Sequence, residues 1–172
     1  MDNAISNFSE LMRKAATGNK QAFETLVRQL ELPIMNYLTR LAGSRTEAED
    51  LFQETWLKVF ENRKQYRFPD DPRPWIYRIA HNICVNHMKR TKTGQDKIIK
   101  LGQIDRQYEK PEHDMPELLQ MLTAEQREAL ILRYYEQKSY DEIAKIMDAP
   151  SGTVGYWINQ AIQALRDHLA KH

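Results

Sequence analysis

The sequence predicts an all-α protein, with two small helical domains joined by a flexible linker. Three observations lead there. Apolar residues recur at steps of three and four in both the first and the last third of the chain, the period of a helix that buries one face. No stretch shows the strict alternation of a half-buried strand. Between the two periodic parts, residues 91–115 (TKTGQDKIIKLGQIDRQYEKPEHDM) hold two glycines, one proline and five charges of each sign without a sustained apolar stripe, a composition that suits a linker. The expected division is therefore a first domain over 1–90, a linker over 91–115 and a second domain over 116–172.

In the first domain, Phe23, Leu26, Val27 and Leu30 form one helical stripe, and Ile34, Tyr37, Leu38 and Leu41 extend it. Gly43 and Ser44 punctuate the chain. Ser44 or Thr46 then offers an N-cap for a helix with acidic residues in its first turn, along which Leu51, Trp56, Val59 and Phe60 continue the apolar face. Three prolines break the chain in RFPDDPRP, and Pro74 suits the first turn of the helix that follows. Inside the linker a short helix is expected near Lys97–Leu101. In the last third, Thr123 with Gln126 and Ser139 with Glu142 are capping boxes. They open two helices carrying Leu130, Ile131 and Tyr134, then Ile143, Ile146 and Met147. A tight turn at DAPSG leads into a final helix with the stripe Val154, Ile158, Ile162 or Ala161, Leu165 and Leu169. A short helix, a turn and a second helix make a helix-turn-helix.

Charge is unevenly placed. The chain as a whole is near neutral at +1, but residues 63–92 hold eight basic side chains against Asp70 and Asp71 alone. Just upstream, residues 47–61 hold five acidic side chains and one lysine. An acidic stretch beside a basic, aromatic one suggests two different partners for one small domain. The single cysteine, Cys84, excludes an internal disulfide and fits a reducing cytoplasm. No apolar run reaches the roughly 18 residues of a membrane span, and no basic-then-apolar leader opens the chain, so direct membrane insertion is not expected.

No phosphate-cradling glycine loop, His-Glu-x-x-His or nucleophile elbow is present, so no catalytic residue and no cofactor are expected. His81, Cys84 and His87 combine metal-binding residue types. On a continuous helix, however, they fan over roughly 120°, and no fourth ligand is near. Cys84 reads better as a small buried apolar residue, and no metal site is expected.

Three segments carry a more specific signal: AEDLFQETWLKVF, RPWIYRIAHNICVNHMKR and LTAEQREALILRYYEQKSYDEIAKIMDAPSGTV. In order and spacing they resemble the extracytoplasmic-function (group 4) sigma factors of the sigma-70 family, promoter-specificity subunits of bacterial RNA polymerase. The resemblance covers about residues 20–90 and 115–170. It implies sigma region 2 in the first domain, sigma region 4 in the second, and the function of an alternative sigma factor.

Residues matching the family's core-polymerase contact, which docks on the clamp helices of the largest subunit, are Asp50, Leu51, Gln53, Glu54 and Leu57. Asp50, Gln53, Glu54 and Leu57 share a helix face. The segment matching the minus-ten reader contributes Arg73, Trp75, Tyr77, Arg78, His81, Asn82, Asn86, Lys89 and Arg90. There positive charge can follow phosphates while aromatic faces and amides meet unpaired bases. In the family a short loop that captures a flipped base matches His81–Asn82–Ile83, and Asn82 is the expected base reader. For Trp75, burial in the core is an equally good reading.

The match to the minus-thirty-five helix gives Ser151, Thr153, Tyr156, Trp157, Asn159, Gln160 and Gln163, with Ser151 or Thr153 as its cap. Here the sequence departs from the family pattern. Gly155, Trp157, Gln160 and Ile162 stand where members typically carry basic residues, and Arg166 alone remains on the helix. Such a helix meets DNA through polar and aromatic contacts, or it serves chiefly as a surface for a protein partner. The resemblance implies three partners: core RNA polymerase, promoter DNA and an anti-sigma factor. A standalone helix-turn-helix regulator and a sigma-like decoy remain the alternatives.

Overall fold

A computed structural model of the chain describes residues 2–67, 70–94 and 115–171. Among them all regular structure is helical. The elements are α1 (Asp2–Ala16), α2 (Lys20–Ala42), α3 (Arg45–Asn62), a 3-10 turn (Arg63–Gln65), α4 (Pro72–Gly94), α5 (Met115–Gln120), α6 (Ala124–Leu130), a π turn (Ile131–Tyr135), α7 (Tyr140–Met147) and α8 (Ser151–Leu169).

The boundaries follow local chemistry. Asn19 caps α2, its side-chain oxygen accepting from the Ala22 amide at 2.9 Å. The helix runs through Pro33 and ends at Gly43, whose φ of +73° and amide bond to the Thr39 carbonyl form a left-handed C-cap. Of the two caps expected for α3, Ser44 is the one used. Both capping boxes form, Thr123 with Gln126 and Ser139 with Glu142. The helix expected at Pro74 starts two residues earlier, at Pro72, with the Asp71 carboxylate accepting from the Arg73 amide at 3.0 Å.

α1 to α4 enclose the first core, in which Met12, Leu26, Ile34, Leu38, Val59, Ile76, Ala80 and Cys84 are fully enclosed. Thr55 is buried beside them and its hydroxyl donates to the Leu51 carbonyl at 2.7 Å. This leaves no polar atom of that side chain unpaired. The second core joins α6, α7 and α8 through Ala129, Ile131, Leu132, Ile143, Ile146, Val154, Ile158 and Ala161. α7 also packs directly on α4, so the two halves meet.

α4 runs four residues past position 90, to Gly94, and Met115 opens α5. The short helix expected near Lys97–Leu101 lies outside the described residues. Tyr134 is 60% exposed rather than on the buried stripe. The cause is the π turn, in which the Glu136 amide bonds the Ile131 carbonyl at 3.1 Å. One extra residue in the turn rotates Tyr134 off the face that a 3.6 period assigns it. Leu169 is 63% exposed at the end of α8, beyond the body it would pack on.

Burial pushes the Cys84 thiol up to about 12, with the Glu128 and Glu47 carboxylates adding to the shift. The thiol therefore stays protonated at pH 8, and only the thiolate attacks. A disulfide reagent at pH 8 is expected to label Cys84 slowly in buffer and within the mixing time in denaturing urea. Fast labelling in buffer contradicts this packing.

Candidate nucleic-acid and polymerase interface

α3 divides cleanly. Ala48, Leu51, Thr55 and Val59, at steps of three and four, are buried, while Asp50, Gln53, Glu54 and Leu57 point outwards. Leu51 is thus corrected from the expected docking set: at 2% exposure it holds α3 to the core and presents nothing to a partner. Asp50, Gln53 and Glu54 make no side-chain hydrogen bond or ion pair among the described residues. Leu57 stands 57% exposed among them. Phe60, read in the sequence as core, is 43% exposed and continues this face by one turn. Its ring packs edge-on to Phe23 and carries the Arg63 guanidinium 3.9 Å from its centroid. The signal for it was its spacing of three from Leu57. A helical surface of carboxylates, an amide and two apolar side chains is complementary to a basic, partly apolar helix.

α4 is one unbroken helix, and no loop interrupts it at His81–Asn82–Ile83. Nothing between Trp75 and Thr93 would break it, since that stretch has neither glycine nor proline, and the buried stripe Ile76, Tyr77, Ala80, Ile83 and Cys84 runs straight through. Arg78, Asn82, Asn86, Lys89 and Arg90 are exposed on the helix, with Arg78, Asn82 and Asn86 one turn apart in succession. This row joins guanidinium, amide and ammonium groups along one side of α4.

The other members of the minus-ten set are placed differently. Arg73 is held by Asp71 in a two-pronged ion pair, Nη2 at 2.6 Å and Nε at 2.9 Å. Trp75 is half-buried, its ring centroid 5.6 Å from that of Tyr66, so it leans to packing. Tyr77 is 2% exposed and unavailable for stacking in this arrangement, because it lies on the inward stripe of α4. Its hydroxyl donates to Glu136 at 2.7 Å. His81 is also covered, its Nδ1 lying 2.6 Å from Glu128. His81, Cys84 and His87 do not converge, and no group of three metal-ligand residues gathers among the described residues.

In the second domain α8 follows the turn at Asp148, whose φ is +54°. Neither expected residue caps it. Pro150 occupies the N-cap, and Ser151, one residue further in, donates its hydroxyl to Asp141 at 2.7 Å. Thr153 is half-buried. Tyr156 is 61% exposed, and Asn159, Gln160 and Gln163 are exposed beside it, with Gln163 donating to Asp167 at 2.8 Å. Trp157 turns towards the core and is not part of the outer face. A β-carbon at Gly155 would meet only Tyr140, at 3.5 Å, an ordinary contact. The outer face of α8 is therefore amide, phenol and open backbone, with Arg166 as its basic side chain among the described residues.

Comparison with known proteins fits this geometry. The Sigma-70 region 2 family matches residues 26–93, and Sigma-70, region 4 matches residues 113–165. The RNA polymerase sigma-H factor of Pseudomonas aeruginosa is 29% identical over 91% of the chain and 90% of its own length. The ECF RNA polymerase sigma factor SigE of Mycolicibacterium smegmatis is 32% identical over 91% of the chain and 66% of its own. Among solved structures, the sigma factor RpoE of Bartonella quintana, crystallised with the anti-sigma factor NepR, superposes with a TM-score of 0.75 at 26% identity. That superposition covers 86% of this chain and 96% of RpoE. No helix among the described residues is long and apolar enough to cross a membrane. With both regions matched in order, on a fold that presents an acidic face on α3 and a polar, basic row on α4, the chain belongs to the extracytoplasmic-function group of the sigma-70 family of RNA polymerase sigma factors.

Proposed function

We propose that this alternative sigma factor, which directs promoter-specific transcription initiation, divides its work among three helix faces. The outer face of α3, Asp50, Gln53, Glu54 and Leu57 with Phe60, docks on core RNA polymerase. The row Arg78, Asn82, Asn86, Lys89 and Arg90 on α4 meets the minus-ten element. The outer face of α8 meets the minus-thirty-five element. The observation that carries this reading is the α3 face: its acidic and amide groups are exposed, with no side-chain hydrogen bond to a neighbouring helix among the described residues, around an exposed leucine. A DNA-binding protein working without polymerase would have no use for such a face, because carboxylates repel phosphates. Catalysis in this scheme belongs to the polymerase. By likeness to RpoE, which was solved with an anti-sigma factor, we assign a regulator of that kind as the third partner.

On α4, charge and reading are separable. Arg78, Lys89 and Arg90 follow the strand backbone, and the Asn82 amide offers the paired donor and acceptor that distinguish one base edge from another. On α8 the same division leans to reading. Asn159 and Gln160 supply amides suited to adenine, Tyr156 an apolar ring with a hydroxyl, and the phosphate contribution is small. The second domain therefore holds DNA weakly for its family and with a shallow salt dependence.

Four results are expected. Glu54→Lys with Leu57→Asp, both at exposed positions, leaves the melting curve unchanged but weakens core polymerase binding by about tenfold or more, the scale of losing a central contact; fluorescence titration with purified core measures it, and unchanged binding refutes the α3 assignment. Asn82→Ala keeps core binding but lowers discrimination at one base of the melted strand by about 1–3 kcal/mol, read as promoter opening on a set of single-base variants. Gln160→Lys adds one phosphate contact and steepens the slope of log K against log salt on upstream duplex by about 0.9. Tyr156→Ala weakens binding to the same duplex, and insensitivity to both changes would mark α8 as a protein-binding surface.

A further inference from the structure

The outer face of α8 is short of charge, and its neighbour on α7 is an aromatic ring. Tyr140 is the first residue of α7, held in place by the capping box that Ser139 and Glu142 form. Its ring crosses to α8 at Gly155, where a β-carbon would stand 3.5 Å from Tyr140 Cε2 and 3.8 Å from Cδ2. A longer side chain at 155 would start in contact with that ring edge and screen it. Glycine leaves the edge open, and Tyr140 is 39% exposed. Arg133 backs the ring, its guanidinium 5.4 Å from the centroid and its Nη1 donating to the Lys138 carbonyl at 3.0 Å. Tyr156 follows Gly155 and is the more exposed of the two tyrosines. The Ser151 hydroxyl, donating to Asp141, ties the start of α8 to the start of α7 and so fixes the placing of the two rings.

Little on this surface attracts phosphate. Arg166, the basic side chain of the outer face among the described residues, lies about three turns beyond Gly155. Arg133 is engaged by the Lys138 carbonyl and the Tyr140 ring. The start of α8, which would otherwise favour an anion, already has the Asp141 carboxylate beside it. A phenol ring in a major groove discriminates by apolar contact instead. Each base pair shows its own donors and acceptors there, but thymine alone shows a methyl group. A ring that covers this methyl takes it out of water, a gain that does not depend on charge. Asn159 and Gln160, one turn on from Gly155 and Tyr156, offer amides suited to adenine N6 and N7. Rings and amides therefore select the same A·T pairs.

We propose that Tyr140 and Tyr156, set about the bare backbone of Gly155, bind the C5-methyl of thymine, and that Gly155 is the residue that opens this contact. It rests on the assignment of α8 to the upstream duplex, adds a residue of α7 to the reading surface and names the base that is selected. Phosphate contacts position a protein on DNA without carrying sequence, so a face poor in them can still be selective. Uracil is the discriminating probe, because it lacks the methyl and keeps every donor, acceptor and charge of thymine. Each thymine that meets a ring binds about fourfold better than uracil in its place, the scale of burying one methyl-sized group. Gly155→Arg screens the ring edge and brings a cation to the phosphates, and as a better helix former than glycine it keeps the fold.

The test offers the immobilised full chain two randomised duplex libraries, one made with thymidine and one with deoxyuridine in its place. Bound duplexes are sequenced, and fluorescence anisotropy at low salt gives the affinity of enriched sequences in both forms. The parent is expected to enrich thymine at discrete positions, with a loss of about fourfold at each on replacement by uracil. Tyr140→Ala and Gly155→Arg are expected to abolish most of that loss, while Gly155→Arg also steepens the dependence of affinity on salt. Circular dichroism shows which variants keep the parent's helicity, and Gly155→Arg suffices alone. Equal enrichment and equal affinity in both libraries overturn the methyl contact and leave α8 a reader of DNA. A uracil loss that persists in Gly155→Arg overturns the role of Gly155 and of the ring beside it. No enrichment from either library removes the assignment of α8 and the methyl contact with it.

Discussion

The arrangement of the two halves depends on where Glu128 puts its charge. A carboxylate that leaves water must be met by donors, and on the first domain the Tyr37 hydroxyl and the His81 ring stand where it lands. Glu136 repeats the same solution against Tyr77 and Arg40. These contacts fix which face of the second domain lies on α4, and through it which residues of α4 remain outside. Apolar packing alone would hold the halves together without choosing a register so sharply, because hydrophobic contact is non-directional.

α4 carries more than any other element. Its inward stripe closes the first core, its middle receives the second domain, and its outer row presents the groups suited to a nucleic-acid strand. Three duties on one helix explain why its aromatic and titratable residues are divided as they are. Tyr77 and Trp75 serve packing, His81 serves the contact with the second domain, and the reading side is left to asparagines and cations. α3 shows a simpler division, with one face wholly in the core and the other wholly outside. In the proposed scheme, the contrast between an acidic α3 face and a basic α4 row suits one small domain to a basic protein helix and a polyanion on separate surfaces.

Much of this was legible in the sequence because it is local. Both capping boxes, the Gly43 stop, the Ser44 cap and the apolar stripes of α2, α6, α7 and α8 depend on residues within a few positions of one another. What escaped depends on register or on distance. Leu51 sits one position from the exposed face of α3, and a helix turns about 100° per residue, so a motif match alone could not tell it from Asp50. Tyr134 followed a 3.6 period until a π turn changed it. Ser151 lost the cap to Pro150 because its hydroxyl finds Asp141, ten residues back. The junction of the halves was out of reach altogether: Glu128 meets partners 91 and 47 positions away, and nothing in the local pattern marks a helix glutamate as buried.

The most direct test of the account is transcription itself. Purified core polymerase, with and without this protein, is run on fragmented genomic DNA, and the starts of the transcripts are sequenced. Discrete new starts are expected, sharing an upstream sequence at the minus-ten distance, with a second, weaker element further upstream. Core binding without any new start would contradict it, leaving a protein that holds polymerase but selects no promoter.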